Sequence, residues 1–210
     1  GVLASRLQGI DNKYAYAVYL LSGILCWNLF SEIVTRCLTV FIDNASLLKK
    51  MQFPRISLPL IVVGSALVNN LALLLVMMVL LPILGFYPNV YWVWLPALIL
   101  ITISLAAGLG LLLGTLNVFA RDIGQVMAVV LQFWFWATPI VYPINVLPNE
   151  FKATLLFNPV APLVMAYHSV MVYERAPGWE LLTPVVFTVI LLALAFLVFR
   201  RASAEMVDAL

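Results

Sequence analysis

Charge is what this sequence has least of: Asp, Glu, Lys and Arg make up 10% of its 210 residues, against 65% hydrophobic residues. A water-soluble domain carries about a quarter charged residues, so the deficit excludes a globular enzyme with a membrane attachment and leaves nothing over for a separate soluble domain. The formal net charge is only +2, and no tract is rich in Lys and Arg. That excludes a surface able to track nucleic-acid phosphates. Cysteine is scarce too. Cys26 and Cys37, if they share one helix, stand about 16 Å apart at 1.5 Å per residue, which rules out a bridge between them. They read as small apolar packing residues, with an inter-subunit disulfide as the alternative.

Catalytic and nucleotide-binding patterns are missing as well. There is no GK[ST] phosphate loop, no HExxH, no GxSxG and no zinc-type Cys/His spacing. Gly108-x-Gly110 followed by Gly114 lies in an apolar run without the strand, turn and acidic residue that a dinucleotide site needs. His168 is the one histidine and reads as a solvated or hydrogen-bonded structural residue rather than a ligand or proton relay. A secondary carrier would show paired buried carboxylates and an internal repeat, and neither is visible. An intramembrane lipid-modifying enzyme would have only Glu150, Glu174 and His168 as outer-face candidates.

What the chain does have is long apolar runs. Those from about Ile56 to Leu81 and from about Tyr91 to Leu116 each exceed the roughly 20 residues that cross a hydrocarbon core. The fold class is therefore an all-α polytopic membrane protein, with residues 1–210 as one transmembrane domain and spans at about 14–39, 56–81, 92–116, 123–139 and 181–199. Tyr14, Tyr16 and Tyr19 open the first span where an interfacial aromatic belt sits. Asp43-Asn44-Ala45-Ser46 offers capping oxygens to a short helix over Leu47 to Gln52, which Pro54 ends. The run from Ile123 to Ala137, stopped by Thr138-Pro139, covers only about 22 Å, short of a roughly 30 Å core. Residues 140–177 are broken by Pro143, Pro148, Pro159, Pro162 and Pro177, with Glu150 and Lys152 between them, and read as re-entrant. Pro184 falls in the first turn of the last span, where a missing donor costs little.

Basic residues orient these spans. Lys49, Lys50, Arg55, Arg121, Arg200 and Arg201 fall on one face with Arg36 close by, and Arg6, Lys13, Lys152 and Arg175 on the other. The richer face is cytoplasmic by the positive-inside rule, and the C-terminus lies there. Were residues 155–173 to cross, Arg200 and Arg201 would change sides and the asymmetry would largely vanish.

Several residues are candidates for function. Glu32 and Arg36, four apart at membrane depth, can form an intramembrane ion pair, either as a neutralised pair or as a gate or inter-subunit contact. Thr102, Ala106, Gly110 and Gly114 form a small-residue stripe, read as packing within one subunit or as a dimer seam. Tyr16, Tyr19, Gly23, Trp27 and Phe30 recur at helical spacing, as do Gln125, Val129, Gln132 and Trp136. Glutamines in lipid favour a partner or a hydrated path. Phe133, Trp134 and Phe135 are either lipid-facing bulk or flat faces suited to the C–H faces of sugars.

Four motifs in order, Leu47-Leu48-Lys49-Lys50-Met51-Gln52-Phe53-Pro54-Arg55, Phe119-Ala120-Arg121-Asp122-Ile123, Thr138-Pro139-Ile140-Val141-Tyr142-Pro143 and Asn158-Pro159, resemble the permease subunits of type-2 ABC exporters. The likeness is strongest to those exporting O-antigen, capsular polysaccharide or teichoic acid, and it covers nearly the whole chain. It implies a homodimer in the bacterial cytoplasmic (inner) membrane, driven by two copies of a separate ABC ATPase that holds the ATP and Mg; this chain would bind no cofactor, metal or nucleic acid. Lys49, Lys50, Met51, Phe53, Pro54 and Arg55 would form one ATPase-coupling helix, and Arg121 and Asp122 the second contact. Residues 140–177 would hold external gate helices. Tyr16, Tyr19, Trp27, Phe30, Gln125, Gln132, Phe133, Trp136 and Tyr142 would line the path of a lipid-linked glycan. A drug or small-lipid exporter is the nearest variant. The resemblance also implies an amphipathic helix and a sixth span ahead of Gly1, beyond the five visible here.

Overall fold

The computed structural model describes residues 14–50, 54–144, 155, 158–203 and 205–206. Among these, every regular element is helical, and four helices are long and apolar enough to cross a membrane. They are α1 (Ala15–Asp43), α3 (Ser57–Ile83), α4 (Leu95–Phe119) and α7 (Leu182–Ala202). Three shorter helices join them: α2 (Ala45–Lys50), α5 (Asp122–Ala137) and α6 (Val160–Met171). The expected short run is confirmed as α5, whose 16 residues reach about 24 Å.

Helix ends follow local chemistry. α1 runs on past the expected Thr39 because nothing interrupts its ladder before Asn44, whose side-chain amide turns back to donate to the Val40 carbonyl at 2.8 Å. Its 29 residues extend about 43 Å, so α1 overreaches a roughly 30 Å core. Pro82 lies in the last turn of α3 rather than just beyond it. The helix then closes through Gly85 at φ 86, with the Phe86 amide donating to the Leu81 carbonyl at 2.9 Å. That left-handed closure suits glycine, which has no Cβ to clash. The third span is preceded by a 3-10 turn over Val90–Trp94, started by Asn89, whose side chain accepts from the Tyr91 amide at 2.9 Å.

α1 is the central element: 16 of its 29 residues are buried, whereas α7 buries only Pro184, Thr188 and Ala195. α4 lies between them and presents glycines to both. A Cβ on Gly108 would stand 3.2 Å from the Leu192 amide nitrogen of α7; one on Gly110 would stand 2.7 Å from the Cys37 Cβ, and one on Gly114 would collide with the Cys37 carbonyl of α1. The small-residue stripe is therefore an intra-chain seam, not a dimer seam. Thr102 Oγ1 completes it 3.9 Å from Cys26 Sγ. Both cysteines are buried and free, which excludes an inter-subunit disulfide from them in this fold.

The chain order gathers the described basic residues Lys49, Arg55, Arg121, Arg200 and Arg201 at the end where α1 and α7 finish, marked by Phe41 stacked on Phe199 with centroids 5.9 Å apart. Arg175 is at the opposite end, near Glu174 and Glu180. Arg6, Lys13, Glu150 and Lys152 lie outside the described residues.

The seam gives a direct test. Alanine improves helix propensity over glycine by about 1 kcal/mol, but overpacking costs about 1–3 kcal/mol. Gly114→Ala should lower the thermal unfolding midpoint and the yield in detergent. Gly64→Ala, where a Cβ meets nothing within 4 Å, should leave both unchanged or slightly raised.

Candidate functional site

A groove of about 360 Å³ runs between α1 and α5, lined by Trp27, Ser31 and Thr35 from α1 and by Leu131, Gln132, Phe135 and Trp136 from α5. The two walls differ in kind. α1 contributes hydroxyls one turn apart below an indole, because residues four apart share a helix face. α5 contributes an amide and aromatic faces. Phe135 stands edge-on to both Trp27 (centroids 5.6 Å) and Trp136 (5.5 Å), the T-shaped geometry that aromatic quadrupoles favour. Among the described residues, no titratable side chain lines the groove, so these residues can hold a polar, ring-bearing molecule but offer it no acid, base or charged nucleophile.

Of the residues expected along a path, Trp27, Gln132 and Trp136 share this groove. Phe133 and Gln125 are exposed elsewhere on α5. Phe30 is fully buried, with Trp134 edge-on at 5.4 Å, and therefore packs rather than lines. Ser31 and Thr35 are additions, and Phe135, read from the sequence as either lipid-facing bulk or a face suited to sugars, lines the groove as well. The signal for the first two was present in Trp27, Ser31 and Thr35 at strict spacing of four, but it is easily lost when only aromatic residues are followed along the helix.

Tyr16, Tyr19 and Tyr142 belong to a corner where the chain after α5 folds over the start of α1. The Tyr16 hydroxyl donates to the Val141 carbonyl at 3.0 Å, and the Tyr19 hydroxyl lies 3.1 Å from the carbonyls of both Pro139 and Tyr142. Burial raises the Tyr142 phenol pKa above its ordinary value, keeping it a neutral donor to the Trp136 carbonyl at 3.1 Å. Asn158 ties the same corner to α6. Its Oδ1 accepts from Trp134 Nε1 at 2.9 Å and from the Val160 amide at 3.0 Å, and its Nδ2 donates to Thr138 Oγ1 at 3.1 Å. His168 of α6 is 2% exposed and stacks on Tyr19 with centroids 3.7 Å apart. It fits because residue 23 is glycine: a Cβ there would stand 3.0 Å from His168 Nε2. Buried this way, His168 is a packing residue and cannot serve an interfacial enzyme.

Glu32 and Arg36 meet at 3.0 Å, and Asn69 Nδ2 of α3 donates to the same Glu32 Oε1 at 2.8 Å. The carboxylate thus joins α1 to α3 inside one chain. At the basic end, Lys49, Pro54, Arg121 and Asp122 are exposed and Arg55 is half-buried. Lys50 closes α2, while Met51 and Phe53 lie outside the described residues. α2 begins at Ala45 because the Asn44 carbonyl accepts the amides of Leu47 and Leu48, both at 3.1 Å. Among the described residues, no group of three His, Cys, Asp or Glu side chains could hold a metal.

Known proteins resemble this chain over most of its length. The sequence pattern of the ABC-2 type transporter family matches residues 1–172. An "O-antigen export system permease protein RfbA" of Klebsiella pneumoniae is 29% identical over 178 residues, covering 84% of this chain and 68% of that protein. A second protein of that name from the same organism is 29% identical over 153 residues, 72% of this chain and 59% of its own length. One from Myxococcus xanthus is 30% identical over 206 residues, 97% of this chain and 78% of the relative.

Asn158 carries a prediction about the corner. Asn158→Ala removes an acceptor and a donor together, leaving the Trp134 indole N–H without its partner, at a cost of about 1–3 kcal/mol. The unfolding midpoint in detergent should fall accordingly, with a smaller fall for Asn158→Asp, which keeps the acceptor.

Proposed function

The chain belongs to the ABC-2 type transporter family, and we propose that it is the permease subunit of a polysaccharide exporter, moving a lipid-linked, O-antigen-like glycan outward across the bacterial inner membrane. The observation that carries this reading is the groove between α1 and α5. Sugars present C–H faces that pack on aromatic rings and hydroxyls that need donors and acceptors. Trp27, Phe135 and Trp136 supply the first, and Ser31, Thr35 and Gln132 the second. Such a surface favours sliding over capture, because each contact is modest and similar contacts follow along the groove.

The sequence contains no phosphate loop, so the driving force comes from a separate ABC ATPase, in two copies, which carries the ATP and Mg. It docks on the basic end. Lys49, Lys50, Met51, Phe53, Pro54 and Arg55 form one contact, and Arg121 and Asp122 the other. That end and the C-terminus are cytoplasmic, consistent with the positive-inside rule. The subunit pairs with a second copy, and α5 offers a face for the pairing: of its residues only Leu131 is buried, leaving Val126, Val129 and Phe133 open. α5 counts as a fifth, short span. α6, clamped to α1 through Tyr19 and His168, acts as an external gate element. Closure of the ATPase pushes α2 and the α4–α5 connector, tilts α1 and α5, and opens a path between the two copies.

Two experiments test this reading. Lys49→Glu or Arg121→Glu should abolish stimulation of the partner ATPase while membrane insertion persists; full stimulation in both would refute the assigned contacts. Trp136→Ala and Gln132→Ala should leave ATPase binding intact and slow glycan export about 3- to 10-fold, the scale of one lost aromatic or polar contact. Unchanged export in both would remove the groove from the path.

A further inference from the structure

The two proposed ATPase contacts are far apart in sequence, yet one side chain bonds α1, which leads into the first, to α5, which follows the second. Asn117, three residues from the start of the α4–α5 connector, is 2% exposed. Its Nδ2 donates to the Leu38 carbonyl of α1 at 2.8 Å, and its Oδ1 accepts from the Gly124 amide of α5 at 2.8 Å. Leu38 sits near the end of α1 that leads through Asn44 into α2, and Gly124 is in the first turn of α5, just after Arg121 and Asp122. An amide in a helix's first turn has no partner within its own helix. Here α4 supplies the acceptor.

From this geometry we infer that Asn117 is a positioning residue that makes α2 and the α4–α5 connector move as one body, so that a push on either is delivered to both walls of the groove. The inference rests on the exporter reading above. Only a short side chain with one donor and one acceptor fills the role. Aspartate loses the donor, and alanine loses both. The fit is tight on each side. A Cβ on Gly124 would stand 3.2 Å from Asn117 Nδ2 and 3.3 Å from its Oδ1, and one turn earlier Gly114 already presses α4 on the Cys37 carbonyl. α1 and α5, the two helices so joined, are also the ones that carry Ser31 and Thr35 on one side of the groove and Gln132 and Trp136 on the other. Asn117 thus bridges the two walls at the base of the groove.

The test uses the complete permease–ATPase complex in proteoliposomes and compares glycan exported per ATP hydrolysed. For Asn117→Ala and Gly124→Ala, which damage the same hydrogen bond from its two ends, the complex should assemble and hydrolyse ATP within about twofold of wild type, with export per ATP falling about tenfold. Unchanged export per ATP, or hydrolysis and export falling in equal proportion, would reduce Asn117 to a stabilising contact and overturn the inference. An intact background provides an independent check, with spin labels on Ser46→Cys and Ala120→Cys, both exposed positions. Their distance should stay constant between nucleotide-free and ATP-bound states; a shift of several ångströms would equally overturn the single-body motion. A wild-type complex that exports nothing with ATP would instead defeat the exporter reading.

Discussion

At two points along the seam between α1 and α4 there is no space for a side chain. Gly110 and Gly114 let the two backbones approach until the Cys37 carbonyl and Cβ fill what would have been their side-chain volume. In lipid, where burial of apolar surface between helices gains little, such close packing is a main source of association. Other elements are referenced to α1. α3 attaches through Asn70, whose amide donates to the Leu25 carbonyl at 2.9 Å, and through the Asn69–Glu32 bond. α6 attaches through the Tyr19–His168 stack, and α5 through the ring contacts of Trp27 and Phe30.

The polar groups that do lie at membrane depth follow one pattern. Asn70, Asn117 and Thr102 each donate to a backbone carbonyl, as expected where water cannot compensate, although Asn70 Oδ1 is buried without a partner. Both asparagines bind a helix other than their own, whereas Thr102 bonds back to Leu98 of α4 itself. The groove departs from that pattern. Its polar wall is not tied to a neighbouring helix: Ser31 Oγ donates to the Asn28 carbonyl of α1 itself at 3.4 Å, and Thr35 and Gln132 line the groove beside it.

Much of the architecture was legible in the residues. Apolar run length gave the long helices, proline gave the break near Pro139, and the basic clusters marked one end. Boundaries were less visible. Asn44 extends α1 by a back-bonded turn, and Pro82 is tolerated inside the last turn of α3, where a following glycine closes the helix. Within the candidate site, periodicity placed Trp27, Gln132 and Trp136 on usable faces. It could not show that Phe30 is sealed under Trp134, or that the stripe continues through Ser31 and Thr35.

The sequence alone determined the solvent of this protein, since a chain so short of charge and so long in apolar runs has only lipid to fold in. It also determined that no phosphate loop is present, because such a loop is a local pattern. Tertiary structure decided which faces meet. It turned the glycine stripe inward onto α1 and buried His168 against Tyr19. It also brought Leu38, Asn117 and Gly124 to one point. Helical periodicity fixes the direction of a side chain relative to its own axis, but the neighbour it finds depends on how helices distant in sequence rotate and cross.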